Sequence, residues 1–322
     1  MNVVNLLPPG FQEAALREDT RAGLTGTPKS LPPKWFFDLR SNAQYEKIAK
    51  LPEYRQARIE HAILRDMARS IAALTEARTL IELRSGPSDR TSLLLRALRA
   101  EGTLESYVGV DASESLITAA GKALTAEYPE LAVRLVVANV EEHLGLPGYP
   151  AGGPRLVAFL GSAIGNMIPA QRAAFLARVR SRLRPGDAFL LGADLAKDPD
   201  TLVAAYHDSD GISAAFDKNV LAMLNSHLGA NFDVNAFDHI AAWVPETESV
   251  ERRLRSAVEQ EVALPGAGLT VRLTAGEEIR TGISTKFHRD GMSRELAMAG
   301  LAVRAWRTDP SGRYGVSLSV PL

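Results

Sequence analysis

T-L-I-E-L-R-S-G-P-S-D-R, residues 79–90, is the stretch whose reading decides the fold. A short apolar run carries one acid, Glu82, breaks at Ser85-Gly86-Pro87, and leads into an apolar stretch at 92–98. A run of that length bounded by Gly and Pro reads as a buried strand, entering a helix through a tight turn. In an open α/β sheet such a turn lies at the carboxyl edge, where nucleotide-like ligands bind. Gly86 has no Cβ, so the backbone there can approach a ligand closely. The G-x-G-x-x-G spacing that cradles a dinucleotide pyrophosphate is absent. A strand–Gly–helix turn also occurs widely without any ligand, so its neighbours must decide.

Downstream, 107–110 reads as a second strand with Asp111 at its tip. Rossmann-like folds put a carboxylate there, on a ribose hydroxyl pair. The competing reading makes Asp111 the N-cap of a helix at 114–125. Strands follow at 133–137, ahead of Asn139-Val140, and at 156–160, running into G-S-A-I-G-N, 161–166. A helix at 172–183 stops at Pro185-Gly186, and 188–192 is a fifth strand. This alternation predicts an α/β chain with a Rossmann-like, parallel, doubly wound sheet. The pattern then breaks. Residues 198–260 read as mostly helical (201–209, 212–228, 235–239), with strand-like runs at 250–261 and 269–274. That is too long for a loop and predicts an inserted lobe. A helix at 293–299, a strand at 303–308, a D-P-S-G turn and a strand at 315–320 close the chain as a hairpin. Upstream lie an amphipathic helix at 12–24 and a helical stretch at 58–74, separated by K-S-L-P-P-K-W-F-F-D, 29–38. That proline-aromatic segment reads as a rigid loop or as the wall of a pocket. The predicted division is a substrate-binding lobe of residues 1–60 and 197–286, and a cofactor domain of 61–196 and 287–322.

Composition narrows the function classes. Lys+Arg 37 against Asp+Glu 38 leaves no bulk basic field for nucleic acid. With no cysteine, disulfides, thiolate metal sites and cysteine nucleophiles are excluded. No apolar run reaches spanning length and no signal-peptide pattern opens the chain, so a cytoplasmic protein with no membrane partner is expected. The histidines lack ligand spacing, and no metal is expected.

The acid at the end of the first strand is similar to that of the S-adenosyl-L-methionine (SAM) methyltransferase motif h-h-(D/E)-x-G-x-G, although Arg84 stands where its first glycine belongs. Further landmarks are K-S-L-P-P-K-W-F (29–36), L-P-E-Y (51–54), A-E-Y-P (126–129), E-E-H-L (141–144), F-L-G-S-x-I-G-N (159–166), A-A-F-D-K-N-V-L (214–221), A-G-E-E (275–278), K-F (286–287) and the final D-P-x-G-x-x-G-x-S-L. On these the chain resembles, nearly end to end, the histidine-specific Nα-methyltransferase family of ergothioneine biosynthesis. The resemblance implies a class I methyltransferase fold, a small-molecule substrate, SAM as cofactor and S-adenosyl-L-homocysteine (SAH) as product. It also implies a cofactor site of Glu82, Arg84, Gly86, Arg90, Asp111, Asn139 and Val140; Arg90 replaces a lysine, and Asn139-Val140 an Asp-Phe pair.

On the substrate side, Asn166 and Tyr206 match residues that hold the α-amino and carboxylate end, and Ser284 one beside the imidazole. Gly282 replaces a glutamate that hydrogen-bonds the imidazole, Phe37 a tyrosine, and Arg55-Gln56 a Tyr-Pro pair. Losing a buried polar recognition group costs orders of magnitude in discrimination. A larger, more apolar pocket is therefore expected, with a bulkier aromatic amino-acid derivative as substrate. The family includes fungal members that methylate a prenylated tryptophan. An indole of a tryptophan-containing cyclodipeptide, methylated at carbon or nitrogen, is the first expectation. L-Histidine Nα-methylation is the alternative, and a non-catalytic SAM-fold protein with Arg84 blocking the cofactor is a third reading. A weakly acidic acceptor needs a base; Tyr206, His207 and His239 are candidates, each with a structural role as the competing reading, His239 being placed on the 235–239 helix to pack with Phe237 and Trp243.

Overall fold

The computed structural model describes residues 1–32, 39–85, 89–140 and 152–322, for 39–43 the backbone alone. The chain opens with β1 (Asn2–Asn5), α1 (Phe11–Thr25), β2 (Lys29–Ser30), α2 (Leu39–Ile48) and α3 (Gln56–Thr75). The predicted alternation follows: β3 (Thr79–Leu83), α4 (Asp89–Ala100), β4 (Ser106–Asp111), α5 (Glu114–Glu127), β5 (Ala132–Val137), β6 (Arg155–Phe159), α6 (Pro169–Arg182) and β7 (Ala188–Asp194). Beyond it come α7 (Pro199–Ala204), α8 (Ile212–Leu228), β8 (Phe237–Val244), β9 (Ser249–Ser256), β10 (Gln260–Leu264), β11 (Leu269–Leu273) and β12 (Glu278–Thr285). The closing elements are α9 (Arg289–Met298), β13 (Leu301–Thr308) and β14 (Tyr314–Pro321).

Two compact units share these elements: Met1–Leu7, Gln56–Ala196 and Lys286–Leu322 form one, and Pro8–Arg55 and Lys197–Thr285 the other. In the first, eight strands run in the order β1-β5-β4-β3-β6-β7-β14-β13. All neighbours pair in parallel except at β14, which runs antiparallel to both β7 and β13. A parallel sheet closed by one reversed strand is the class I methyltransferase arrangement the resemblance implied. Strands such as T-L-I-E-L and A-F-L-L-G-A-D are buried along their whole length, as expected of a sheet covered on both faces. Leu64 and Ile71 of α3 and Leu95 of α4 cover Leu80, Leu156 and Leu190 on one face. Phe175 of α6 and Met292 of α9 cover Ile81, Phe159 and Phe189 on the other. No helix among the described residues is long and apolar enough to cross a membrane.

In the second unit a four-stranded sheet, β2-β12-β9-β8, packs beside α8, and β10 and β11 form a separate hairpin. The helix expected at 235–239 is not there. Only Val234–Ala236 makes a short 3-10 turn, and His239 lies in β8, paired in register with Leu254. F-D-H sets buried Phe237 and His239 on either side of exposed Asp238, and the run that follows is apolar in both registers, a strand pattern that wins over the helical context upstream. β12, unforeseen, is split by a bulge between Arg280 and Gly282.

Candidate active site

Arg84 sits at the end of β3 with φ 57°. This left-handed backbone suits glycine and strains an L-residue, which is the physical reason a glycine belongs at that position. Beyond it, Ser85 N–H donates to Val110 O at 3.0 Å, tying the turn to the end of β4. Asp111, at the tip of β4, accepts the Ser113 N–H at 2.9 Å. The N-cap of α5 is Ser113, whose side chain accepts from Leu116 N, so the reading of Asp111 as the cap falls. Burial pushes the Asp111 carboxyl up; the Ser113 N–H, the positive charge of Arg84 and the Ala112 N–H hold the rise back. One backbone bond, Ala138 N–H to Asp111 O at 2.9 Å, brings the end of β5 alongside. Asn139 there is half-buried and Val140 buried. An acid for a ribose hydroxyl pair, an amide for the adenine amino edge and an apolar neighbour fit SAM.

Glu82 plays a different part. It is buried, and both its oxygens accept from Thr91 Oγ1 at 2.8 Å, while one also takes Tyr107 OH at 2.7 Å and Ser85 Oγ at 3.3 Å. The carboxylate thus joins Ser85 before the turn to Thr91 after it. Burial pushes its carboxyl above the ordinary range, against the Tyr107 and Thr91 hydroxyls, the Arg90 charge and the Ser85 hydroxyl. Gly109 lies directly across from it on β4; a Cβ there would come within 2.9 Å of Ser85 Oγ. Gly86 is outside the described residues.

Arg90, expected at the cofactor, is paired with Glu60 of α3. Glu60, missed in the sequence, is fully buried and also accepts the Gly161 N–H at 2.8 Å and Tyr314 OH at 2.6 Å. Gly161 opens the connecting loop, whose last four residues, Ala163–Asn166, form a 3-10 turn ending in half-buried Asn166. A second buried pair, Lys286 Nζ to Asp194 Oδ2 at 2.8 Å, lies at the end of β7, with Gln56 Nε2 3.4 Å from the same oxygen. The Asp194 N–H donates to Ser162 Oγ at 2.9 Å.

In the second unit the strand register puts His239, Arg252, Gly282 and Ser284 on one face of the sheet. Tyr206 OH donates to Ser284 Oγ at 2.8 Å, and the Tyr54 ring packs edge-on against Tyr206 at 6.1 Å. Arg55, expected at the substrate, is exposed and donates to Pro52 O; Phe37 is outside the described residues. Asp217 of α8, wholly buried, accepts from His239 Nε2 at 2.7 Å and from Arg252 Nη1 at 2.5 Å. Because a carboxylate only accepts, Nε2 carries the proton and Nδ1 is the ring's basic nitrogen. Nδ1 is buried with no partner among the described residues, and the His207 ring stacks on His239 at 5.7 Å. Gly282 pairs across the sheet with Arg252. A Cβ on Gly282 would overlap Arg252 Nη2 and lie 2.9 Å from Cζ. The space expected to open here is therefore filled by a guanidinium, which also lies over the Phe216 ring at 5.8 Å. Asp217 falls inside the A-A-F-D-K-N-V-L landmark but was given no role from the sequence, and Arg252 had no signal of its own.

Comparison with known proteins adds a family and relatives. Residues 16–321 match the model of a family described as histidine-specific, SAM-dependent methyltransferases. Histidine N-alpha-methyltransferase of Mycolicibacterium smegmatis is 45% identical over 320 residues, 99% of each chain. The enzyme of the same name from Mycobacterium tuberculosis is 44% identical over 319 residues, again 99% of each. The 4-dimethylallyltryptophan N-methyltransferase of Claviceps purpurea is 29% identical over 222 residues, 62% of this chain and 61% of the other.

Proposed function

The chain belongs to the histidine-specific, SAM-dependent methyltransferase family and is an enzyme, and on that premise we propose that its acceptor is an aromatic amino-acid-derived small molecule other than free histidine. A tryptophan-derived cyclodipeptide, methylated at indole carbon or a nitrogen, fits best. The observation that carries this is the seat of Arg252 against Gly282. Where the family resemblance implies a glutamate accepting an imidazole N–H, this chain presents a guanidinium, so an acceptor has become a donor. Imidazole N–H and a free ammonium gain nothing from it. A guanidinium donates to carbonyl oxygens and lies on aromatic faces, as it already does on Phe216. A cyclodipeptide offers amide carbonyls and an indole, with neither ammonium nor carboxylate.

Bound SAM supplies an electrophilic methyl on a sulfonium, transferred in line as the C–S bond breaks. The chain's own contribution is alignment, worth several kcal/mol when reacting atoms are held at contact, and removal of a proton. Asp111 and Asn139 would hold the cofactor's ribose and adenine. Toward the acceptor the first unit offers Asn166, and the second offers the Tyr206–Ser284 hydroxyl pair. His239, its Nε2–H fixed by Asp217, takes on Nδ1 the proton that the acceptor's N–H loses once the new bond has formed.

A second reading, L-histidine Nα-methylation, is favoured by 45% identity over 99% of the chain. Here the amine needs only to shed a proton before attack. Incubation of the protein with SAM and, separately, histidine or cyclo(Trp-Trp), followed by mass spectrometry, decides between them. The first reading expects a methylated indole product and a far slower histidine reaction. Methylation of histidine alone would overturn it in favour of the second.

A further inference from the structure

Glu60 lies in the second turn of α3 and has no exposed surface. A buried carboxylate is costly unless its acceptor sites are filled, and here they are. Oε1 takes the Tyr314 hydroxyl and the Gly161 N–H, and Oε2 takes the Arg90 guanidinium and, at 3.0 Å, the same N–H. Burial and the charge of Glu60 push the Tyr314 hydroxyl well above the ordinary range, so it stays a donor.

Two glycines make room for this arrangement. A Cβ on Gly192, inside β7, would overlap Glu60 Oε1 and come within 2.8 Å of Tyr314 OH. A Cβ on Gly161 would meet Arg90 Nη1 at 3.2 Å. The packed sheet therefore forgoes a side chain at a central strand position to admit a charge. An apolar residue would brace α3 as well or better. What the carboxylate adds is direction, and it links two places that matter. Arg90 is the second residue of α4, directly after the cofactor turn. Gly161 opens the loop carrying Asn166, assigned above to the acceptor.

We propose that Glu60 is a positioning residue that couples the cofactor turn to the Gly161–Asn166 loop, so that filling the cofactor site orders the loop before the acceptor arrives. The coupling runs through Arg90 on one carboxylate oxygen and the Gly161 N–H on both. Its meaning for catalysis rests on the role given to Asn166, but its test uses no acceptor, so either idea can fail alone.

The test is amide hydrogen exchange with and without SAH, after calorimetry has fixed the SAH affinity of each protein. In the wild type, saturating SAH slows exchange in 161–167 by about fivefold or more, the lower end of common coupling energies. In Glu60→Gln that protection falls to less than about twofold at SAH saturation, while the segment at 89–92 is still protected. Tyr314→Phe, which loosens the brace but leaves the Arg90 and Gly161 contacts in place, retains the wild-type response. Absence of SAH protection at 161–167 in the wild type overturns the proposal, whether or not Glu60→Gln folds. So does unchanged protection in Glu60→Gln. No SAH binding by the wild type would overturn the cofactor site and the proposal with it.

Discussion

Replacing Arg84 by alanine and by glycine separates what its backbone does from what its side chain does. With φ 57° the residue is in a left-handed conformation that costs an L-residue about 1–2 kcal/mol. Alanine keeps that strain and glycine releases it. Glycine also gives the unfolded chain more freedom, which takes back about 0.4–1 kcal/mol. The difference leaves Arg84→Gly more stable than Arg84→Ala by about 1 kcal/mol, or about 2 °C in Tm for a chain of this size. Both variants lose the charge that holds the Asp111 carboxyl down against burial. Asp111 then protonates at a higher pH than in the wild type, and a protonated carboxyl no longer accepts from both ribose hydroxyls. Calorimetric titration with SAH from neutral pH downward should show the variants close to wild type at pH 7. On acidification they should lose affinity first, to the same extent in both. Equal stability of the two variants would refute the strain argument. Affinity lost at lower pH than in the wild type would refute the electrostatic one.

Glu82→Gln should change how stability depends on pH. Burial raises the Glu82 carboxyl, so the folded state holds its proton more tightly than the unfolded state. The resulting stabilisation is fully present below the ordinary glutamate range and is lost as pH rises through the raised folded value. The wild type should therefore fall in stability relative to Glu82→Gln across that rise, read by urea denaturation at several pH values; a gap that moves the other way would refute the assignment. Gly282→Ala places a methyl on the guanidinium of Arg252 and should destabilise by about 1–3 kcal/mol, the range for overpacking. Adding Arg252→Ala should relieve most of that clash, giving a non-additive double-mutant cycle in chemical denaturation. Additive effects would mean that Arg252 does not occupy the Gly282 space.

Much of the fold was legible because its strands follow simple periods. Continuous apolar runs from 79 to 194 gave the parallel strands, and D-P-S-G gave the final hairpin. β1 was not legible: Asn2–Asn5 is four residues with little burial, and its place beside β5 is a tertiary outcome. β12 was hidden by Gly282 and its bulge, and β8 by the helical sequence before it. The site divided along similar lines. Asp111 stood out in the sequence as an acid at a strand tip, and Tyr206 and Ser284 only through the family resemblance. Glu60 did not, since a glutamate in an amphipathic helix reads as solvent-facing. Its signal was elsewhere, in the isolated glycine of A-F-L-L-G-A-D. A strand glycine among large apolar residues marks a close approach, and here the approaching group is the Glu60 carboxylate.

The same logic applies along the carboxyl edge as a whole. Glu60, Glu82 and Asp194 are all buried, and the carboxylates of Glu60 and Glu82 each fix a turn at this edge. Glu82 joins Ser85 to Thr91 around the cofactor turn. Glu60 fixes Gly161, while Asp194 is held by Lys286 through its side chain and by Ser162 through its backbone N–H. Stability alone does not explain three buried acids, because well-packed apolar residues commonly match or exceed a buried ion pair. Apolar contacts tolerate sliding, whereas hydrogen bonds to a carboxylate fix distance and angle. Methyl transfer makes that difference matter, since a misplacement of about 1 Å can cost roughly a hundredfold in rate. On the proposed site, the carboxylates of Glu60 and Glu82 hold the Gly161 N–H and the Ser85 and Thr91 hydroxyls at fixed distances within a strongly apolar sheet.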